Sequence, residues 1–141
     1  MTPRVVIDTN VLVSSFFDGP PQVIIDYWRD GNLTLCLSPS IVDEYQRILE
    51  RLKLPRNEVV ELFDRFACGN DCLFTASTPS LAVVERDPDD DKFIECAIAL
   101  DARIVITGDQ DLLSLERYFQ VEMLSPRMFL DAFSPQSNRS I

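Results

Sequence analysis

A chain of 141 residues with 46% hydrophobic residues is long enough for one domain with a packed core, and no apolar run reaches the length of a membrane span. It contains no histidine, which excludes Ser-His-Asp and Cys-His nucleophilic schemes, histidine acid–base catalysis and histidine-ligated metals. Hydrolysis then falls to carboxylates holding a hard divalent cation, which would also offset part of the net charge of −10 against a phosphate substrate.

Val5-Val6-Ile7 is a β-branched run too short for a helix and reads as a strand buried on both faces, hence part of a parallel sheet. Asp8 follows where that strand ends, and open α/β sheets place their ligands at the carboxyl ends of strands. Thr9 and Asn10 are turn and cap residues. The apolar run Leu12 to Phe17 is interrupted by Asp18-Gly19-Pro20-Pro21. A helix is predicted from near Pro21 to Gly31-Asn32, with Val23, Ile24, Tyr27 and Trp28 on one face. Leu33 to Leu37 reads as a second strand.

Ser38-Pro39 opens a helix whose stripe is Ile41, Val42, Tyr45, Ile48, Leu49 and Leu52, with Glu44 at its margin. Alone, Glu44 would be a solvated helix residue pairing with Arg47 or Arg51. A further helix is predicted from Asn57 to Phe66, ended by Gly69-Asn70. Leu73-Phe74 and Leu81 to Val84 are short apolar pieces, one of which is expected to be a strand. Asp87-Pro88-Asp89-Asp90-Asp91-Lys92 is the densest acidic cluster; Asp87 reads as an N-cap and Pro88 as the first helical residue. Phe93, Ile94, Ala97, Ile98 and Leu100 are expected inward.

Arg103 to Ile106 reads as another buried strand, ending in Thr107-Gly108-Asp109-Gln110-Asp111. A short helix toward Tyr118, a strand from Phe119 to Leu124 and a helix opened by Ser125-Pro126 and running through Phe133 complete the pattern. One domain is expected over residues 1–133, with a disordered polar tail at 134–141. The cysteines at 36, 68, 72 and 96 read as buried free thiols. The start Met1-Thr2-Pro3-Arg4 lacks a secretory signal, so a soluble cytoplasmic protein is expected.

Strands alternating with helices imply an α/β fold, a three-layer sandwich with a mostly parallel central sheet flanked by helices. Asp8 and Asp109 would then converge on one edge, with Glu44 and the Asp87–Asp91 cluster at helix starts near it.

Four pieces together resemble the PIN-domain nucleases: Val6-Ile7-Asp8-Thr9-Asn10-Val11, Ser40 to Tyr45 with Glu44, Asp87 to Phe93, and Ile106-Thr107-Gly108-Asp109-Gln110-Asp111-Leu112-Leu113. The similarity spans roughly residues 4–133 and looks nearest to the branch of toxins from toxin–antitoxin pairs. It implies a metal-dependent endoribonuclease acting on single-stranded RNA with Mg²⁺ or Mn²⁺. On that resemblance Asp8 and Asp90 hold the principal metal, and Asp109 and Glu44 complete its shell directly or through water. Asn10, Asp91, Thr107 and Asp111 are supporting candidates, Asp111 being equally readable as a helix cap. The helix face through Phe93, Ile94 and Ala97 favours Asp90 as the ligand and leaves Asp91 solvated or in support. Counting back from Thr107 by common loop length favours Asp91 instead.

The apolar helices at 21–30 and 41–66 are many for a small core, which points to a homodimer seam or a groove for a small antitoxin protein. Three rival functions compete. A carboxylate–Mg²⁺ phosphatase or phosphotransferase would want a second acid two residues after Asp8, where this chain has Asn10. A phosphoacceptor regulatory domain would want an N-terminal acid pair that is absent. A PIN-like fold that only binds a partner would not need all four acids.

Overall fold

The computed structural model describes residues 2–81, 83–84 and 88–133. Its centre is β1 (Arg4–Ile7), whose Val5, Val6 and Ile7 are wholly buried, as a run without polar alternation requires. β1 pairs in parallel with β2 (Thr34–Leu37) on one side and β4 (Ile104–Ile106) on the other. Outside them lie β3 (Cys72–Phe74) and β6 (Val121–Leu124), also parallel, and β5 (Arg117–Tyr118) closes one edge antiparallel to β6. The sheet is six-stranded, in the order β3-β2-β1-β4-β6-β5, and flanked by helices, the α/β architecture expected.

That order has a consequence for function. The chain winds from β1 outward through β2 and β3, then returns to lay β4 against the other side of β1. The winding therefore reverses between β1 and β4, and a crevice opens at the carboxyl ends of strands at such a reversal. Asp8 leaves β1 at that point, and its N–H donates to the carbonyl of Ile106, the last residue of β4, at 3.0 Å.

The helices are α1 (Thr9–Ser14), α2 (Pro20–Arg29), α3 (Pro39–Arg51), α4 (Arg56–Cys68), α5 (Asp91–Ala99), α6 (Gln110–Leu113) and α7 (Pro126–Ala132). Gly19 opens α2 at φ 137°, a region that essentially only glycine tolerates, and Gly69 closes α4 in the left-handed conformation. Phe66 of α4 packs between Trp28 of α2 and Tyr45 of α3, with ring centroids 5.7 and 6.1 Å away. Tyr45 also donates its hydroxyl to the carbonyl of Ile7, which fastens α3 to the end of β1. None of the described helices is long and apolar enough to cross a membrane.

Several expectations need correction. α6 stops at Leu113, and the segment after it forms the β5–β6 hairpin because Arg117 and Tyr118 pair with Glu122 and Val121. Phe119 is therefore not in a strand; it sits in the hairpin turn at φ 54°, 77% exposed. Ile98 is exposed on α5, and Cys96 takes the buried place beside Ala97. Cys36 and Cys96 are buried thiols, but Cys68 is exposed on the last turn of α4 and Cys72 is half-buried. Among the apolar pieces after Asp71, Cys72–Phe74 is the strand, while Val83 and Val84 lie in a loop. The N-cap expectation for Asp87 and the tail at 134–141 fall outside the described residues.

Candidate active site

Asp8 is the N-cap of α1, and its Oδ1 accepts the N–H groups of Asn10 at 2.8 Å and Val11 at 3.2 Å. Its Oδ2 accepts the hydroxyl proton of Thr107, itself wholly buried just beyond β4. Burial raises the Asp8 carboxyl above its ordinary range; the bonds from Thr107, Val11 and Asn10 pull the other way, and the charge of Asp109 adds to the rise. The two acids expected to converge therefore do feel each other. Thr107 connects them, since its Oγ1 also accepts the N–H of Asp109 at 3.0 Å.

Asp109 is the N-cap of α6, with Oδ1 accepting the N–H of Asp111 at 2.8 Å. Asp111 is thus not the cap of α6; it lies in the first turn, where its charge suits the helix dipole. The Asn10 side chain is exposed beside Asp8.

Glu44 reaches this edge from α3, and neither Arg47 nor Arg51 is its partner. Its Oε2 accepts the hydroxyl of Thr9, the residue after Asp8, and its Oε1 pairs with the ammonium of Lys92 on α5. Lys92 also lies 3.1 Å from Asp89, which is largely exposed. Burial works against the Lys92 ammonium, but the bonds and charges of Glu44 and Asp89 outweigh it and hold its pKa above the ordinary lysine value.

Within the acidic cluster, residues 88–90 form a 3-10 turn and Asp90 occupies the N-cap position of α5 without a side-chain cap bond. Its register differs by this turn from the expected unbroken helix. Asp91 is buried, and its Oδ1 accepts the N–H groups of Val84 at 2.8 Å and Val83 at 3.3 Å. It is therefore not solvated: two backbone donors of a loop with no strand partner need an acceptor, and Asp91 is that acceptor.

Thr9 and Lys92 were not singled out in the sequence. Their signals were adjacency to Asp8 and a lysine three residues after Asp89, the spacing of a helical ion pair. Among the described residues no three acidic or thiol groups stand close enough to enclose a cation by themselves. Magnesium needs no such enclosure. It binds through one or two carboxylates and completes its octahedron with water and substrate oxygens. An all-oxygen donor set, two carboxylates sharing a partly desolvated crevice and the repulsion between them all fit such an ion.

A family profile described as the PIN domain matches residues 4–111. An uncharacterized protein of Methanocaldococcus jannaschii is 29% identical over an alignment of 145 residues, covering 92% of this chain and 91% of the relative.

Proposed function

The chain belongs to the PIN domain family, a family of nucleases, and from that premise we propose that it is a Mg²⁺- or Mn²⁺-dependent endoribonuclease that hydrolyses single-stranded RNA. The observation that carries this reading is the Asp8–Thr107–Asp109 connection at the winding reversal of the sheet. In this reading Asp8 and Asp109 would hold the ion directly, and Asp90 would reach it through water. When bound, a divalent cation would supply charge neutralisation at the phosphoryl group and would ease deprotonation of the attacking water. The protein's own part is orientation. Thr107 and the N–H groups of Asn10 and Val11 keep Asp8 in one position, so little reorganisation is needed when substrate arrives. Asn10, exposed at the same edge, supplies a side-chain amide to a phosphate or base.

The reading extends to a role as the toxin of a toxin–antitoxin pair and to partners, a homodimer and a small antitoxin protein. What supports a partner surface is apolar area left open at the end of α3 and on α4, where Leu52 and Val60 are each 47% exposed. A phosphatase built on Asp8 as nucleophile is less well supported, because the exposed residue two positions on is the neutral Asn10.

The test is incubation of the purified chain with single-stranded RNA and single-stranded DNA of mixed sequence in Mn²⁺, Mg²⁺ or EDTA. Internal cleavage of RNA that needs the metal is expected. Cleavage undiminished in EDTA, or none in either metal, contradicts the reading.

A further inference from the structure

Lys92 is a partly buried ammonium among acids at this edge, its side chain 11% exposed. Glu44, its partner on α3, is 14% exposed and has both oxygens engaged, Oε1 by Lys92 and Oε2 by the Thr9 hydroxyl. Lys92 also neutralises Asp89 across one turn. A second divalent ion would need carboxylates from this side of the crevice, and these two already share a cation. An ammonium is a compact point charge with three donors, suited to bridging two carboxylates. Removing it would leave a partly buried Glu44 without its cation, free to turn toward the crevice.

We propose that Lys92 is a positioning residue that stands in for a second divalent cation: it holds Glu44 as a neutralised wall of the site, and Glu44 is not a metal ligand. The site then takes one ion, on the Asp8 and Asp109 side. The proposal rests on the metal-dependent reading above and departs from the expectation, implied by the family resemblance, that Glu44 completes the shell.

The test is Mn²⁺ binding by isothermal titration calorimetry on the full chain, with circular dichroism to confirm folding. Wild type binds one ion. Glu44→Gln stays within about threefold of wild-type affinity, whereas Asp8→Asn loses more than about tenfold. Lys92→Met releases Glu44 toward the crevice, and Mn²⁺ binds about tenfold more tightly, the effect of one added unit of negative charge at close range. Lys92→Met combined with Glu44→Gln returns to wild type, and Lys92→Arg stays there. Loss of a positive charge near the site raises cation affinity in any case, so the role is read from Glu44→Gln, where a metal ligand would lose affinity and a neutralised wall keeps it.

Two ions in wild type would overturn the proposal. So would Glu44→Gln losing as much as Asp8→Asn, or a folded Lys92→Met that binds no more tightly. If Lys92→Met does not fold, the Glu44→Gln comparison decides by itself. RNA cleavage on the same samples separates this from the nuclease reading. Affinities in the expected order without any cleavage contradict the nuclease and leave the Lys92 assignment standing, while absence of Mn²⁺ binding contradicts both.

Discussion

Thr107 donates its hydroxyl proton to Oδ2 of Asp8 across a sequence separation of 99 residues. The same oxygen of Thr107 accepts from the backbone of Asp109, so one buried hydroxyl sets the relation between the two acids. Thr107→Val keeps the shape and removes both functions. It leaves a buried carboxylate oxygen short of a donor, which costs about 1–3 kcal/mol of stability. Chemical denaturation should show that loss, and cleavage should fall with it. Thr107→Ser should restore both, and a Val variant as stable and active as wild type would remove Thr107 from the account.

The neighbouring acids Asp90 and Asp91 should separate cleanly. Asp90→Asn removes a charge from the proposed metal shell, so Mn²⁺ binding weakens and cleavage is nearly lost. Asp91 uses only Oδ1 to receive Val83 and Val84, and an asparagine keeps an oxygen there. Asp91→Asn should therefore retain most activity, while Asp91→Ala, which strands two backbone donors, should cost about 1–3 kcal/mol in denaturant. Activity lost in Asp91→Asn and kept in Asp90→Asn would reverse the assignment.

Divalent metal should stabilise the fold. Asp8 and Asp109 repel in a partly desolvated crevice, and an ion that binds only the folded state removes that penalty. At a metal concentration a hundred times the dissociation constant, the gain is about 2.7 kcal/mol. The melting temperature should rise with Mn²⁺, and less so in Asp8→Asn. A melting curve indifferent to Mn²⁺ would count against a site formed before substrate binds.

The thiols should divide by burial. Burial pushes Cys36 and Cys96 each up to about 12, so at pH 8 only about one in ten thousand of each is the reactive thiolate. Their reactivity should stay low through pH 9 and rise only as the pH approaches those values. Cys68, exposed on α4, should react with a thiol reagent at pH 8 while Cys36 and Cys96 stay silent until the protein is denatured. Mass spectrometry of the labelled peptides reads this directly, and equal labelling of all three would refute the burial pattern.

The sheet and its acids were legible because their signals are local. Val5-Val6-Ile7 and Ile104-Val105-Ile106 are short β-branched runs, and each is followed by turn residues and an acid, so the strand ends could be located without knowing the partners. Glu44's partners were not legible from α3 alone. Helical spacing gives Arg47 and Arg51 as partners, and only the approach of α5 and α1 brings Lys92 and Thr9 to it instead. The burial of Asp91 was hidden for a related reason. Three consecutive aspartates look alike in sequence, and the 3-10 turn over residues 88–90 changes the register by which a helix would rank them. The β5 edge escaped because two residues carry no periodicity; their strand character comes from pairing with β6.

The proposed metal-dependent cleavage of RNA depends on the carboxylates at the β1–β4 edge. It is tested most directly by comparing wild type with Asp8→Asn on one single-stranded RNA in saturating Mn²⁺, with circular dichroism on both. Superimposable spectra, rapid internal cleavage by wild type and cleavage below detection in the variant are expected. A folded Asp8→Asn that cuts the RNA at the wild-type rate would contradict that dependence.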